Sequence, residues 1–142
     1  MTVYYQIEPE VAGGWGENTR ADTSVNPPVV HSLHYEFEGW LGDELLESFP
    51  CFIVSEQLGQ ALQAANLAGF SLEQVEISFS AQFLELQGRP LPPGFNWLRI
   101  TGNAGQADFG ISESNLLVVS EQALEVLRRF SLNNAEVADW KC

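Results

Sequence analysis

Twice in this chain an apolar, β-prone run leads through Val-Ser-Glu-Gln into an amphipathic helical pattern. Residues Phe52–Leu67 read FIVSEQLGQALQAANL, and Leu117–Leu132 read LVVSEQALEVLRRFSL. A strand that feeds straight into a helix constrains the fold strongly, because helix start and strand end are set by one residue. Ser55 and Ser120 suit that position: a short hydroxyl accepts a first-turn backbone N–H. Glu56 and Glu121 then place negative charge at the positive end of the helix dipole. The capping box is incomplete at both sites, since Leu58 and Ala123 stand where Glu or Gln would close it. The spacing predicts helices over Glu56–Asn66 and Glu121–Phe130, with Leu58, Leu62, Ala65, Leu124 and Leu127 facing the core. Leu62 corresponds to Leu127 and Leu67 to Leu132. Two copies are too few for a solenoid; they read as a duplication or as two uses of one local solution.

Elsewhere the pattern is strand-like. Val3–Ile7, Val29–Phe37, Val75–Phe79, Trp97–Thr101 and Leu116–Val119 are candidate strands. In Val29–Phe37 the second half alternates, with Leu33, Tyr35 and Phe37 on one face and His34, Glu36 and then Glu38 on the other. Gly13–Pro28, Gly88–Gly94 and Gly102–Gly110 carry the Gly, Pro and Asn of loops. The expected fold class is α+β, a single domain over residues 1–142. Its expected form is a mainly antiparallel sheet with two principal helices packed on it.

A chain of 142 residues is long enough to bury a core without metal or disulfide staples. Its net charge of −13 disfavours direct contact with nucleic acid or an anionic membrane, which need clustered Lys and Arg. The charges are also uneven. From Ala21 to Gly88 there are ten acids and no Lys or Arg. The first residues lack a basic, apolar leader pattern, and no apolar run approaches the ~20 residues that span a bilayer. Cys51 lies in the apolar run Phe49–Val54 and reads as a buried thiol, Cys142 as a mobile terminus; both read as reduced in a cytoplasm.

Motifs that could carry chemistry are sparse. His34, Glu36 and Glu38 are the plausible metal-ligating set, at a strand spacing of two, but the pattern lacks the Cys pairs or helical H-E-x-x-H of zinc sites. Asp108-Phe109-Gly110 spells a kinase tripeptide without the phosphate loop, lysine strand or catalytic loop that give it meaning; Asp108 reads as a loop-stabilising turn residue. Gly13-Gly14-Trp15-Gly16 has no following Gly-Lys-Ser/Thr and sits beside Glu17, so it reads as a mobile loop bearing Trp15. No nucleophile elbow is present, and neither cysteine has an activating neighbour. No catalytic residue, cofactor or metal is assigned. The short stretch Trp40–Glu47 mixes aromatic, aliphatic and acidic groups as a protein interface does. The candidate partner-binding residues are Glu36, Glu38, Trp40, Asp43, Glu44 and Glu47.

Trp40-Leu41-Gly42-Asp43, Glu47–Glu56, Trp97-Leu98, Asp108–Ile111 and Leu117–Glu121 together resemble the small immunity proteins of bacterial polymorphic-toxin systems. The resemblance covers roughly Trp40 to Trp140, and its motifs are structural. It implies a cytoplasmic, non-enzymatic inhibitor that binds a cognate toxin domain, and it carries no fixed set of binding residues. A toxin that acts in the cytoplasm on nucleic acid would present a basic cleft, which an acidic surface could occupy as a phosphate mimic. The alternative is a small ligand- or metal-binding domain or enzyme using the His34/Glu36/Glu38 face.

Overall fold

The computed structural model describes residues 3–86 and 93–141. In chain order the strands before the first helix are β1 (Tyr4–Glu8), β2 (Gly13–Trp15), β3 (Arg20–Asp22), β4 (Val29–Ser32), β5 (His34–Phe37), β6 (Leu45–Ser48) and β7 (Cys51–Ser55). Helix α1 (Glu56–Ala64) follows, then β8 (Phe70–Glu73), β9 (Glu76–Phe79), α2 (Ala81–Leu86) and β10 (Phe95–Ile100). The last elements are β11 (Phe109–Ile111), β12 (Leu117–Ser120), α3 (Glu121–Leu127) and β13 (Glu136–Trp140). The fold is α+β and mainly sheet.

Both predicted helices form, and both start at their serines. Ser55 Oγ accepts the Leu58 N–H at 3.1 Å and Ser120 Oγ accepts the Ala123 N–H at 3.1 Å. Each helix ends two or three residues earlier than the periodicity suggests, at Ala64 and Leu127. Asn66 then takes a left-handed φ of 56°, which turns the chain out of α1. Ala65, placed in the core by the pattern, is instead the exposed C-cap of that helix.

Two four-stranded antiparallel sheets dominate, ordered β6-β7-β10-β8 and β11-β12-β1-β13. They share more than strand count. Leu45 pairs with Val54 as Phe109 pairs with Val119; Phe52 pairs with Leu98 as Leu117 pairs with Ile7. Leu98 then pairs with Leu72 as Ile7 pairs with Val137. Leu72 and Val137 each lie the same number of residues beyond their capping serines. The echo seen in two short segments thus extends through every register of both sheets, with the N-terminal β1 filling the place that β10 fills in the other half.

The halves meet through one hydrophobic core. Leu45, Phe52, Val54, Leu58, Leu62 and Leu98 from one half join Ile7, Phe109, Leu117, Val119, Leu124 and Leu127 from the other. A second core lies behind β6-β7-β10, where Leu46, Cys51, Ile53, Phe95 and Trp97 pack on Tyr35, Phe37 and Phe83. The cover there is a small sheet, β2-β5-β9, together with α2. Within it β5 and β9 run parallel.

Two sequence expectations need correction here. Val29–Phe37 is not one strand: it breaks at Leu33 into β4, paired with β3, and β5, paired with β2 and β9. Gly13–Pro28 is not a plain loop, because β2 and β3 lie inside it. Gly13 is required there for close approach, since a side chain at that position would strike the Glu36 carbonyl. Of the Gly88–Gly94 stretch only Pro93 and Gly94 are described, and Cys142 also lies outside the described residues.

Candidate partner interface

The segment Glu8–Ala12 leaves β1 and threads between β6 and the turn that follows β5. Hydrogen bonds to its backbone and to the Glu10 side chain fasten it. The Glu10 carbonyl accepts the Glu47 N–H at 2.9 Å, and the Ala12 carbonyl accepts the N–H groups of Glu38 and Gly39 at 2.9 and 3.1 Å. The buried Glu10 carboxylate accepts the N–H of Leu41 at 2.6 Å and of Asp43 at 3.2 Å. Tyr35, fully buried, accepts the Ala12 N–H and donates to the Glu47 carbonyl at 3.2 Å. Burial pushes the Tyr35 phenol well above its ordinary pKa, so it remains a neutral strut.

These ties bring together three segments, each of which carries an exposed apolar side chain. Val11 and Leu41 are 67% and 63% exposed. Phe49, at the tip of the β6–β7 hairpin, is 48% exposed. Glu8 and Glu38 are exposed, and Glu47 is half-buried. Burial, and then the nearby Glu8 carboxylate, raise the Glu47 pKa above its ordinary value. Apolar side chains amid carboxylates in this way give a partner both area to bury and a charge to read.

The structure separates the six sequence-derived candidates into two groups. Glu36, Glu38 and Glu47 keep carboxylates at or near the surface. Trp40 is half-buried: its indole N–H donates to the Asp43 carbonyl at 2.9 Å and its ring meets Phe37 edge-on. Asp43 is 1% exposed and takes the N–H groups of Asn133 and Asn134 at 3.0 and 2.8 Å, with the Asn134 side-chain amide at 3.0 Å. Glu44 accepts the Ser55 hydroxyl at 2.7 Å and the Ser131 N–H at 3.3 Å. Asp43 therefore holds the fold from inside, and the half-buried Glu44 is engaged by donors of its own chain. Glu8, Val11 and Phe49 were not singled out by the sequence; the exposure of Val11 between buried Glu10 and Ala12 has no periodic signature.

His34, Glu36 and Glu38 do not converge. His34 is buried, its Nδ1 accepting the Asn18 N–H at 3.1 Å and its Nε2 lying 2.7 Å from Ser78 Oγ. Nδ1 as acceptor places the proton on Nε2, and both ring nitrogens are then engaged. Glu38 lies past the end of β5. Among the described residues no group of three or more His, Cys, Asp or Glu side chains is placed to hold a metal ion. Asp108, of the kinase-like tripeptide, accepts the Ser120 hydroxyl at 2.7 Å and the Ala68 N–H at 2.8 Å. Trp15 is half-buried on β2 rather than carried on a loop. No helix among the described residues is long and apolar enough to cross a membrane. No protein-family model matches the chain, and no curated protein matches it.

Proposed function

We propose that this chain is a cytoplasmic immunity protein that binds and neutralises a cognate bacterial toxin domain, without chemistry of its own. What carries the reading is the surface built on Glu8–Ala12, where exposed Val11, Leu41 and Phe49 sit with Glu8, Glu38 and Glu47 on a chain of net charge −13. A basic substrate cleft is its natural complement: carboxylates stand in for phosphates and steer encounter, while the apolar groups supply contact area. Inhibition then follows from occupancy of the cleft. The resemblance of the Trp40–Trp140 region to polymorphic-toxin immunity proteins supports the same reading.

The test is co-expression with a toxin domain encoded beside this chain. Growth should be restored, and the two proteins should co-elute as a stable complex. Restored growth without a complex, or a complex that leaves the toxin active, would contradict the proposal.

A further inference from the structure

The β3–β4 hairpin is an arm: its two strands pair with each other and, among the described residues, with no other strand. Val30, 7% exposed, anchors it in the second core. At the base of the arm its two ends meet at one residue. The Gly16–Thr19 turn leads into β3, and β4 runs through Leu33 into His34. The turn is fastened around His34. The Gly16 N–H donates to the His34 carbonyl at 2.7 Å. Thr19 Oγ1 donates to that carbonyl and accepts the His34 N–H, each at 2.9 Å. Gly16 also lies against the imidazole, where a side chain would strike the ring.

The ring completes the closure. Nδ1 accepts the Asn18 N–H at 3.1 Å, and the Nε2 proton faces Ser78 Oγ at 2.7 Å. Charging His34 adds a proton at Nδ1, which then meets the Asn18 N–H donor to donor, and that bond is lost. An imidazolium in a buried site also calls for an anion. Glu76 on β9 supplies it, with Oε2 3.8 Å from Nε2. Yet both Glu76 oxygens already accept from the Asn18 side-chain amide, at 3.0 and 3.2 Å. Drawing the carboxylate onto the ring weakens those bonds too. One proton therefore acts on Asn18 twice, through its backbone and through its side chain. The other charged groups on the elements around the ring are Glu36, one pair further along the same face of β5, and the exposed Glu17 and Arg20. None of these three makes an ion pair with His34. His31, the second histidine, is exposed on β4 within reach of the Asp22 charge.

We infer that His34 is a proton-operated latch at the base of the β3–β4 arm, releasing the Gly16–Thr19 turn when it takes up a proton. Pro27–Val30 of the arm form one side of a cavity of about 330 Å³, and Cys51 and Trp97 lie on the other. The latch thus sets how firmly the arm covers the second core. It operates within the chain, whatever partner the chain binds.

The test is an NMR titration of the full chain from about pH 8 to 5, the range in which histidine ordinarily changes charge. The Asn18 and Thr19 amides should shift with the same midpoint as the His34 ring signals. Below that midpoint, hydrogen-exchange protection factors in β3 and β4 should fall at least about tenfold. H34Q should abolish the amide titration and H31Q should keep it. E76Q should move the midpoint to lower pH, because the charged ring loses its anion. Different midpoints for ring and amides, unchanged protection, a titration that survives H34Q, or one lost in H31Q or E76Q would overturn the proposal. An unchanged midpoint in E76Q would overturn the part given to Glu76. Should H34Q unfold, the wild-type comparison of ring and amide midpoints decides.

Discussion

Asp43 and Glu47 lie four residues apart on an acidic stretch, and their surroundings give them opposite parts. Asp43 is buried with three N–H donors on its two oxygens. Hydrogen bonds to a charged group contribute about 1.5–3 kcal/mol, and asparagine would turn an amide donor toward other donors. D43N should therefore lower urea-unfolding stability by about that amount. Glu47 runs the other way. Burial, and then Glu8, raise its pKa above 4.5, so its charged form is less favoured in the folded state than in the unfolded chain. An acid with a raised folded pKa costs stability as pH climbs through that range. E47Q should be more stable than the wild type at pH 7, and the difference should close as pH falls below about 4.5; a constant difference across pH would contradict it. Cys51 is a third buried group, its thiol pKa pushed up to about 12 by burial, against a small lowering from Arg99. Native protein at pH 8 should leave Cys51 unalkylated by iodoacetamide, as read by peptide mass mapping, while urea-unfolded protein should be labelled there. Sequence predicted the burial of Cys51 from its apolar neighbours. It could not predict the burial of Asp43, whose partners are backbone N–H groups distant in the chain.

At the scale of elements, the repeated strand–helix units are tied to each other crosswise. Glu44 buttresses the cap of α1 through Ser55 and takes the Ser131 N–H in the segment after α3. Asp108 buttresses the cap of α3 through Ser120 and takes the Ala68 N–H in the segment after α1. Each acid links the start of one helix to the chain leaving the other, which a bare serine cap does not do. S55A and S120A should each cost about 1 kcal/mol or more. A double-mutant cycle between Ser120 and Asp108 (S120A, D108N) should show at least about 0.5 kcal/mol of coupling in urea unfolding. Strict additivity would mean that the two act separately.

The capped units were legible because Ser-Glu after an apolar run is a local signal. Much of the sheet was not. In β6 the adjacent Leu45 and Leu46 face different cores, which erases alternation. β2 reads as a loop because its glycine permits close packing, and β13, at a sheet edge, alternates weakly and is mostly exposed. Helix α2 spans six residues and buries Phe83 alone, too little to register as a period.

Over the whole molecule, the acidic bias was plain from composition, but the direction of each side chain was not. Part of the acidic stretch turns inward to hold loops, and the surface that remains is completed by Glu8 and Val11, far upstream in sequence. That surface exists because Glu8–Ala12 is pinned between β6 and the turn after β5, a juxtaposition only the tertiary fold creates. Charge reversal at Asp43 and Glu44 should therefore unfold the protein, whereas neutralising the outer acids should leave it folded. The most direct measurement is stopped-flow association of E8Q/E38Q/E47Q with the purified toxin domain over a salt series. Steering by surface charge raises association rates by about 10–10³-fold, and it fades as the Debye length shrinks to about 8 Å near physiological salt. The triple variant should associate about tenfold or more slowly than the wild type at low salt, with a flatter salt dependence and a nearly unchanged dissociation rate. Association at the wild-type rate with the wild-type salt slope would contradict an acidic docking surface built on Glu8–Ala12.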